Sequence, residues 1–219
     1  MFYEPDKNNH GLPYNPFKSI CVPRPIGWVS TVSTSGVVNL APYSQYQNLA
    51  YDPPYVMFSG GGGGRKDSVK NATDTGEFVI NMATWELREE VNTTSQSVPP
   101  DVDEAQLAGL EMLPSKLVKP PRVARSPVQM ECKLQTVVAL PGRTAEQVHY
   151  VVMGRVVGVH IHDDALTKDG RLDVLKIRPL ARMGYHDYTS VTEVFTMTPT
   201  GPGLEERMAG LEGRPVFKK

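Results

Sequence analysis

The sequence predicts a mainly β protein, an antiparallel barrel of Greek-key type with short helices inserted between its strands. Three observations carry this expectation. In PVQMECKLQTVV (127–138), Val128, Met130, Cys132 and Leu134 alternate with Gln129, Glu131, Lys133 and Gln135, the period of a half-buried antiparallel strand. Nineteen prolines and nineteen glycines in 219 residues cut the chain into short elements and leave little room for long helices. Strand-like segments follow one another closely, with helices inserted rather than alternating, which argues against a doubly wound parallel sheet.

The elements follow in order. The first twenty residues are polar and punctuated by proline, an arm expected to lie on the surface or on a partner. PIGWVSTVS (25–33) is rich in β-branched residues and reads as a strand. TSG (34–36) turns the chain, and VVNLAP (37–42) returns as a hairpin, with Pro42 expected to end the pairing because it has no N–H to give. YVMFS (55–59) is a short apolar strand after the stop at DPP (52–54). KDSVKNATDTG (66–76) places Val69 and Ala72 on one helical face, with Gly76 as its stop. EFVINMA (77–83) is a strand, and TWELREEVNTTS (84–95) a helix. DEAQLAGLE (103–111) is a shorter helix, in which Asp103 and Gln106 have the spacing of a capping box. QVHYVVMGRVVGVHIHDD (147–164) is a long second strand with Gly154 and Gly158 at bends or bulges, joined to its predecessor through LPGRTAE. The last thirty residues read as an extended arm with a short helix around LEERMAG (204–210). This divides the chain into an N-terminal arm (1–20), a barrel domain (21–188) and a C-terminal arm (189–219).

Composition excludes several classes. A net charge of −1 gives no overall field to recruit nucleic acid or an anionic membrane. The apolar runs are too short to span a bilayer as a helix. MFYEPDKNNHGLPYNPF has neither a basic leader nor an apolar stretch, so the expected location is cytoplasmic. Cys21 and Cys132 fit reduced thiols in that compartment.

VMFSGGGGGRKDS (56–68) sets five glycines before Arg65, Lys66 and Ser68. Glycine loses more freedom on folding than any other residue, so the run needs a reason. One reading is a phosphate cradle of bare amides and cations; the other is a surface loop. The Walker pattern fails, because Gly64 is followed by Arg65 and Lys66 by Asp67.

The runs RPIGWVST (24–31), NLAPYS (39–44), DPPYVMFS (52–59), KDS (66–68) and GEFVIN (76–81) resemble, in this order, those of the flavin-reductase-like proteins, which bind FMN on a split β-barrel. The resemblance continues through GRVVGVHIHDD and IRPLARMGYHDY, from about residue 23 to 188. It implies that Arg65, Lys66 and Ser68 hold the FMN phosphate, with Ser30 and Thr31 near the phosphate and ribityl chain and Trp28 on the same strand. It implies that Asn39, Leu40, Ala41, Pro42 and Ser44 line the flavin, with Gln47 and Asn48 at its edge. The histidine of a family run is matched to His160, as a catalytic residue at the reductant side, although Val159 stands where the family has an acid. Arg182 and Tyr185 border a pyridine-nucleotide pocket or anchor a loop. His160 and His162 share one strand face but lack further ligands in pattern, so no metal site is expected. The implied activity is hydride transfer from NADH or NADPH through FMN to a flavin or related acceptor. The alternative is an FMN-binding electron carrier or flavin-delivery protein that does not use NAD(P)H. The resemblance also implies a homodimer, for which Phe2, Tyr3, Tyr14 and Phe17 of one arm and Phe195, Met197 and Val216 of the other are aromatic or apolar anchors.

Overall fold

The structure is a computed structural model, and it describes residues 1–61 and 64–197. Strands β1 (Arg24–Pro25), β2 (Gly27–Val32), β3 (Val38–Tyr43), β4 (Tyr46–Tyr51) and β5 (Pro54–Gly61) come first. Helix α1 (Asp67–Thr75) leads into β6 (Glu77–Met82), followed by the short helices α2 (Arg88–Thr93) and α3 (Glu104–Leu107). Next come β7 (Met112–Leu113), β8 (Arg122–Val123), β9 (Val128–Leu140) and β10 (His149–Ile161). Helix α4 (Val174–Ile177), β11 (Leu180–Gly184) and β12 (Asp187–Ser190) complete the described elements. The middle of the glycine run, the segment LEERMAG and Val216 lie outside the described residues.

Seven strands form an antiparallel sheet in the order β3-β2-β6-β9-β10-β5-β4. The sheet curls until Tyr43 of β3 packs on Phe58 of β5, with ring centroids 5.0 Å apart. No ladder joins the edge strands β3 and β4, so the barrel stays split. Gly154 and Gly158 mark breaks in the β9–β10 register, as expected of bulges. Gly154 is also a site of close approach, because a Cβ there would lie 2.3 Å from the Phe78 ring.

Both faces of β2 are covered. Val29 joins Phe58, Val69, Phe78 and Cys132 under α1. Trp28 joins Leu40, Leu87, Val91 and Val123 on the opposite side. Burial at about 25 cal/mol per Å2 of apolar surface makes these two clusters the main stabilising term.

Three local expectations change. Pro42 does not end β3; it sits inside the strand opposite Trp28. Leu40 donates its N–H outward, to Glu104, and Pro42, two residues on, shares that outward orientation. Its missing N–H therefore costs no ladder bond on this edge strand. Residues 46–51, which were not expected to be regular, form β4 against β5. Gln129 and Glu131, expected on a solvent face, are both 0% exposed. The segment 114–123 lies across them: Gln129 receives Arg122 and donates to the Val123 carbonyl, and Glu131 receives the backbone of Lys116, Leu117 and Val118.

Candidate functional site

Helix α1 begins at Lys66, which caps it in extended conformation without any side-chain hydrogen bond. The first N–H groups of a helix have no intrahelical partner, and here no side chain replaces one. Arg65 and Lys66 are exposed, and neither forms an ion pair with a carboxylate among the described residues. The Arg65 guanidinium instead stands 4.8 Å from the centre of the Tyr150 ring. An uncapped helix start beside two cations without acidic partners fits a terminal phosphate.

The first two glycines of the run have a packing reason. A Cβ on Gly60 would lie 2.7 Å from the Tyr43 ring, and one on Gly61 would lie 2.5 Å from the Val148 carbonyl oxygen. Strand β5 therefore approaches both neighbours too closely for a side chain, bringing the chain into α1 from between β3 and β10. Gly64, at φ +99°, takes a conformation that favours glycine.

Ser68 is where expected along the chain, but its side chain faces inward and is 1% exposed. Its hydroxyl lies 2.8 Å from the Asn39 amide and is hydrogen-bonded to Tyr43. Asn39 in turn faces Glu104, whose carboxylate accepts the Leu40 N–H at 3.0 Å. Burial, reinforced by the charges of Asp67 and Asp103 and only partly offset by the Leu40 N–H, pushes the Glu104 carboxyl above its ordinary range. Burial likewise pushes Tyr43 to about 12. What Ser68 offers an anion is its backbone N–H at the helix start.

Several residues expected to touch cofactor are internal. Trp28 is 0% exposed, and its indole N–H donates to Thr94 Oγ1 at 2.8 Å. Leu40 is also fully buried. Ser30 donates to the Pro121 carbonyl at 2.6 Å, and Thr31 accepts from Asn71. Their polar atoms are committed within the protein. Ala41, Pro42 and Ser44 are half-buried. Gln47 and Asn48 are exposed on β4, hydrogen-bonded to each other at 2.9 Å.

His160 is not beside α1. Gly61 pairs with His149 and Arg65 stacks on Tyr150, at one end of β10, whereas His160 pairs with Gln129 at the other. At about 3.3 Å per residue, the two ends are roughly 30 Å apart within one chain. His160 Nε2 contacts Glu131 Oε1 at 2.5 Å. Burial opposes ionisation of Glu131, but the N–H groups of Lys116 and Leu117 and the His160 side chain outweigh it and hold the carboxyl below its ordinary range. The imidazole is thus tied to a structural carboxylate. The residues that the register brings to the α1 end, His149 and Tyr150, were not singled out; the signal was their place at the start of the strand that pairs with the glycine run.

Tyr185 serves as an anchor: it donates to the Asn15 carbonyl at 3.2 Å, and its ring meets Tyr14 edge-on at 5.7 Å. Arg182 lies 4.4 Å from the Tyr188 ring centre, on the smaller sheet β1-β11-β12. No group of three metal-binding side chains occurs among the described residues. A cavity of about 380 Å3 at the carboxyl end of α1 is lined by Ser33, Thr34, Asp74, Glu77 and Lys119. It lies away from the uncapped amino end.

The flavin reductase like domain matches residues 19–187. The chain belongs to this family. An uncharacterised protein of Halalkalibacterium halodurans is 35% identical over 200 residues, covering 90% of this chain and 95% of the relative. The crystal structure of nitrilotriacetate monooxygenase component B from Bacillus cereus superposes with a TM-score of 0.83 at 30% identity, covering 90% of this chain and 98% of that one. Flavoredoxin of Desulfovibrio vulgaris (Miyazaki F) shares the fold, with a TM-score of 0.70 at 20% identity over 86% of this chain and 96% of its own. Membership of the family supports flavin-related oxidoreductase chemistry on a split barrel. No helix among the described residues is long and apolar enough to cross a membrane.

Proposed function

We propose that the chain is an FMN-dependent oxidoreductase, taking hydride from NADH or NADPH and passing electrons to a flavin or a related acceptor. The observation that carries this reading is the uncapped amino end of α1 with Arg65 and Lys66 beside it. Asp67 and Ser68 offer backbone N–H groups to the phosphate, and Arg65 and Lys66 neutralise its charge. The half-buried turn at Ala41, Pro42 and Ser44 lines the flavin ring. When bound, FMN would supply two-electron exchange; the protein orients the ring and limits water. Anaerobic mixing with NADH or NADPH tests the reading: rapid loss of the flavin absorbance supports it, and persistence of the oxidised spectrum sinks it.

A specific observation favours a second reading. His160, the residue assigned to the reductant side, is bound to Glu131 and lies far from α1 along β10. An electron carrier that does not use NAD(P)H fits this, and the resemblance in fold to a flavoredoxin agrees with it. Bleaching by a reduced protein donor but not by pyridine nucleotide would select it.

The reading includes a homodimer and a cytoplasmic setting. Phe2, Tyr14 and Phe17 of the N-terminal arm are 86%, 71% and 62% exposed; the chain's own barrel does not bury them, and association would. Light scattering on dilution, with FMN occupancy followed in parallel, tests this. A monomer with full FMN at every concentration overturns the shared-site arrangement.

A further inference from the structure

We propose that Glu104 is a positioning residue whose proton sets the direction of a buried hydrogen-bond chain, Glu104–Asn39–Ser68–Tyr43, beside the amino end of α1. Its bearing on flavin rests on the reading above; the chain itself does not.

The geometry admits two arrangements of the same heavy atoms. In the first, Asn39 Nδ2 donates to Ser68 Oγ at 2.8 Å. Asn39 Oδ1 then faces Glu104 Oε1, an encounter of two acceptors unless the carboxyl carries a proton and donates it. Ser68, receiving from Asn39, gives its own proton to the Tyr43 oxygen, and the Tyr43 hydroxyl is free to donate outward. In the second arrangement the amide is turned over. Asn39 Nδ2 donates to Glu104 Oε1 at 3.3 Å, and Oδ1 accepts from Ser68 Oγ at 2.8 Å and from the Leu40 N–H at 3.2 Å. Glu104 is then ionised, and Tyr43 donates to Ser68. One proton on the carboxyl thus reverses every donor in the series.

The network is closed to water at its inner end. Asn39 and Glu104 are each 6% exposed and Ser68 is 1% exposed, and unmatched polar groups at such sites are costly. The chain must therefore be matched in one direction or the other. The titratable groups facing Glu104 are Asp103 at the start of its own helix, Asp67 on α1 and Tyr43 on β3. The two acids favour the neutral carboxyl, and the Leu40 N–H favours the ionised one. At the other end, the Tyr43 ring lies against Gly60, where the chain enters the phosphate segment. The proton on Glu104 therefore sets whether Tyr43 offers a hydrogen or a lone pair there.

The test follows the side-chain amide of Asn39 and the ring carbons of Tyr43 by NMR in FMN-free protein, between pH 4 and 9. Both sets of signals are expected to move with one common midpoint in the wild type and to stay flat in Glu104→Gln. Tyr43→Phe, which leaves carboxyl and amide in place, is expected to keep the Asn39 titration, so the test survives if Glu104→Gln does not fold. Asn39 signals that do not titrate, or that titrate unchanged in Glu104→Gln, overturn the proposal. FMN affinity across the same range is expected to change severalfold in the wild type and to be level in Glu104→Gln. If the NMR titration appears but FMN binds at no pH, the hydrogen-bond chain stands and the flavin reading falls. If FMN binds and the NMR signals are flat, the reverse holds.

Discussion

Glu131 and the amino end of α1 treat hydrogen-bond donors in opposite ways. Around Glu131 every donor is used: three backbone N–H groups of 116–118 and His160 converge on one fully buried carboxylate. Glu77 continues the pattern by accepting the Lys119 N–H at 2.7 Å. Around the start of α1 the donors are left open: no side chain caps the helix, and the adjacent cations have no acidic partners among the described residues. The first arrangement fastens a loop to the barrel. The second leaves unspent binding capacity, which is how a site for an anion differs from a structural contact.

The largest way to break this contrast is Glu131→Ala. It strips a buried acceptor from three N–H groups and leaves His160 without its partner, and loss of such a buried charged network costs about 3–5 kcal/mol. Urea unfolding at neutral pH is expected to show that loss. The acid limb follows the same logic. The folded-state value of Glu131 is lowered, so its stabilisation is present above the ordinary carboxylate range and lost as pH falls through the lowered value. Glu131→Gln should flatten that part of the pH–stability curve; an unchanged curve would mean that the loop is held by other contacts.

Gly61→Ala comes next. Its Cβ would meet a backbone oxygen at 2.5 Å, and such overpacking costs about 1–3 kcal/mol. Thermal unfolding should show it, whereas Gly36→Ala, with no atom near its Cβ, should show only the smaller strain of a positive φ. Equal losses would remove the close-approach explanation of the glycine run.

Lys66→Ala is expected to leave stability within about 0.5 kcal/mol, as for an exposed residue, while weakening FMN by about tenfold, the equivalent of 1.4 kcal/mol. Fluorescence titration checks this. Unchanged affinity would put the phosphate elsewhere.

Glu104→Gln is the smallest effect at neutral pH and sharpens the contrast through its sign. The folded-state value of Glu104 is raised, so its contribution favours folding at low pH and declines as pH climbs from the ordinary carboxylate range through the raised value. The variant should lose that decline. Parallel curves for wild type and variant would show that Glu104 and Glu131 do not differ in kind.

Periodicity and local chemistry determined most of the fold. The alternation in β9, the glycine breaks in β10 and the stop at Gly76 are all present in the structure, because each depends on residues adjacent in sequence. Asp103 also caps α3 as its spacing predicts, accepting from Ala105 and Gln106. The order of the family's runs was enough to name the split barrel. Tertiary structure alone decided which polar residues are available. Ser30, Thr31, Ser68 and Gln129 read as surface-capable hydroxyls and amides, yet each is buried and spent on a partner distant in sequence. Pro42 reads as a stop and becomes an edge-strand residue because α3 covers that edge. His160 and His149 differ by nothing local; the pairing of β10 with β5 and β9 puts one beside the glycine run and the other beside Glu131. A strand's period fixes which side a residue faces, but what covers that side, and what its donors meet there, depends on chain segments far away in sequence.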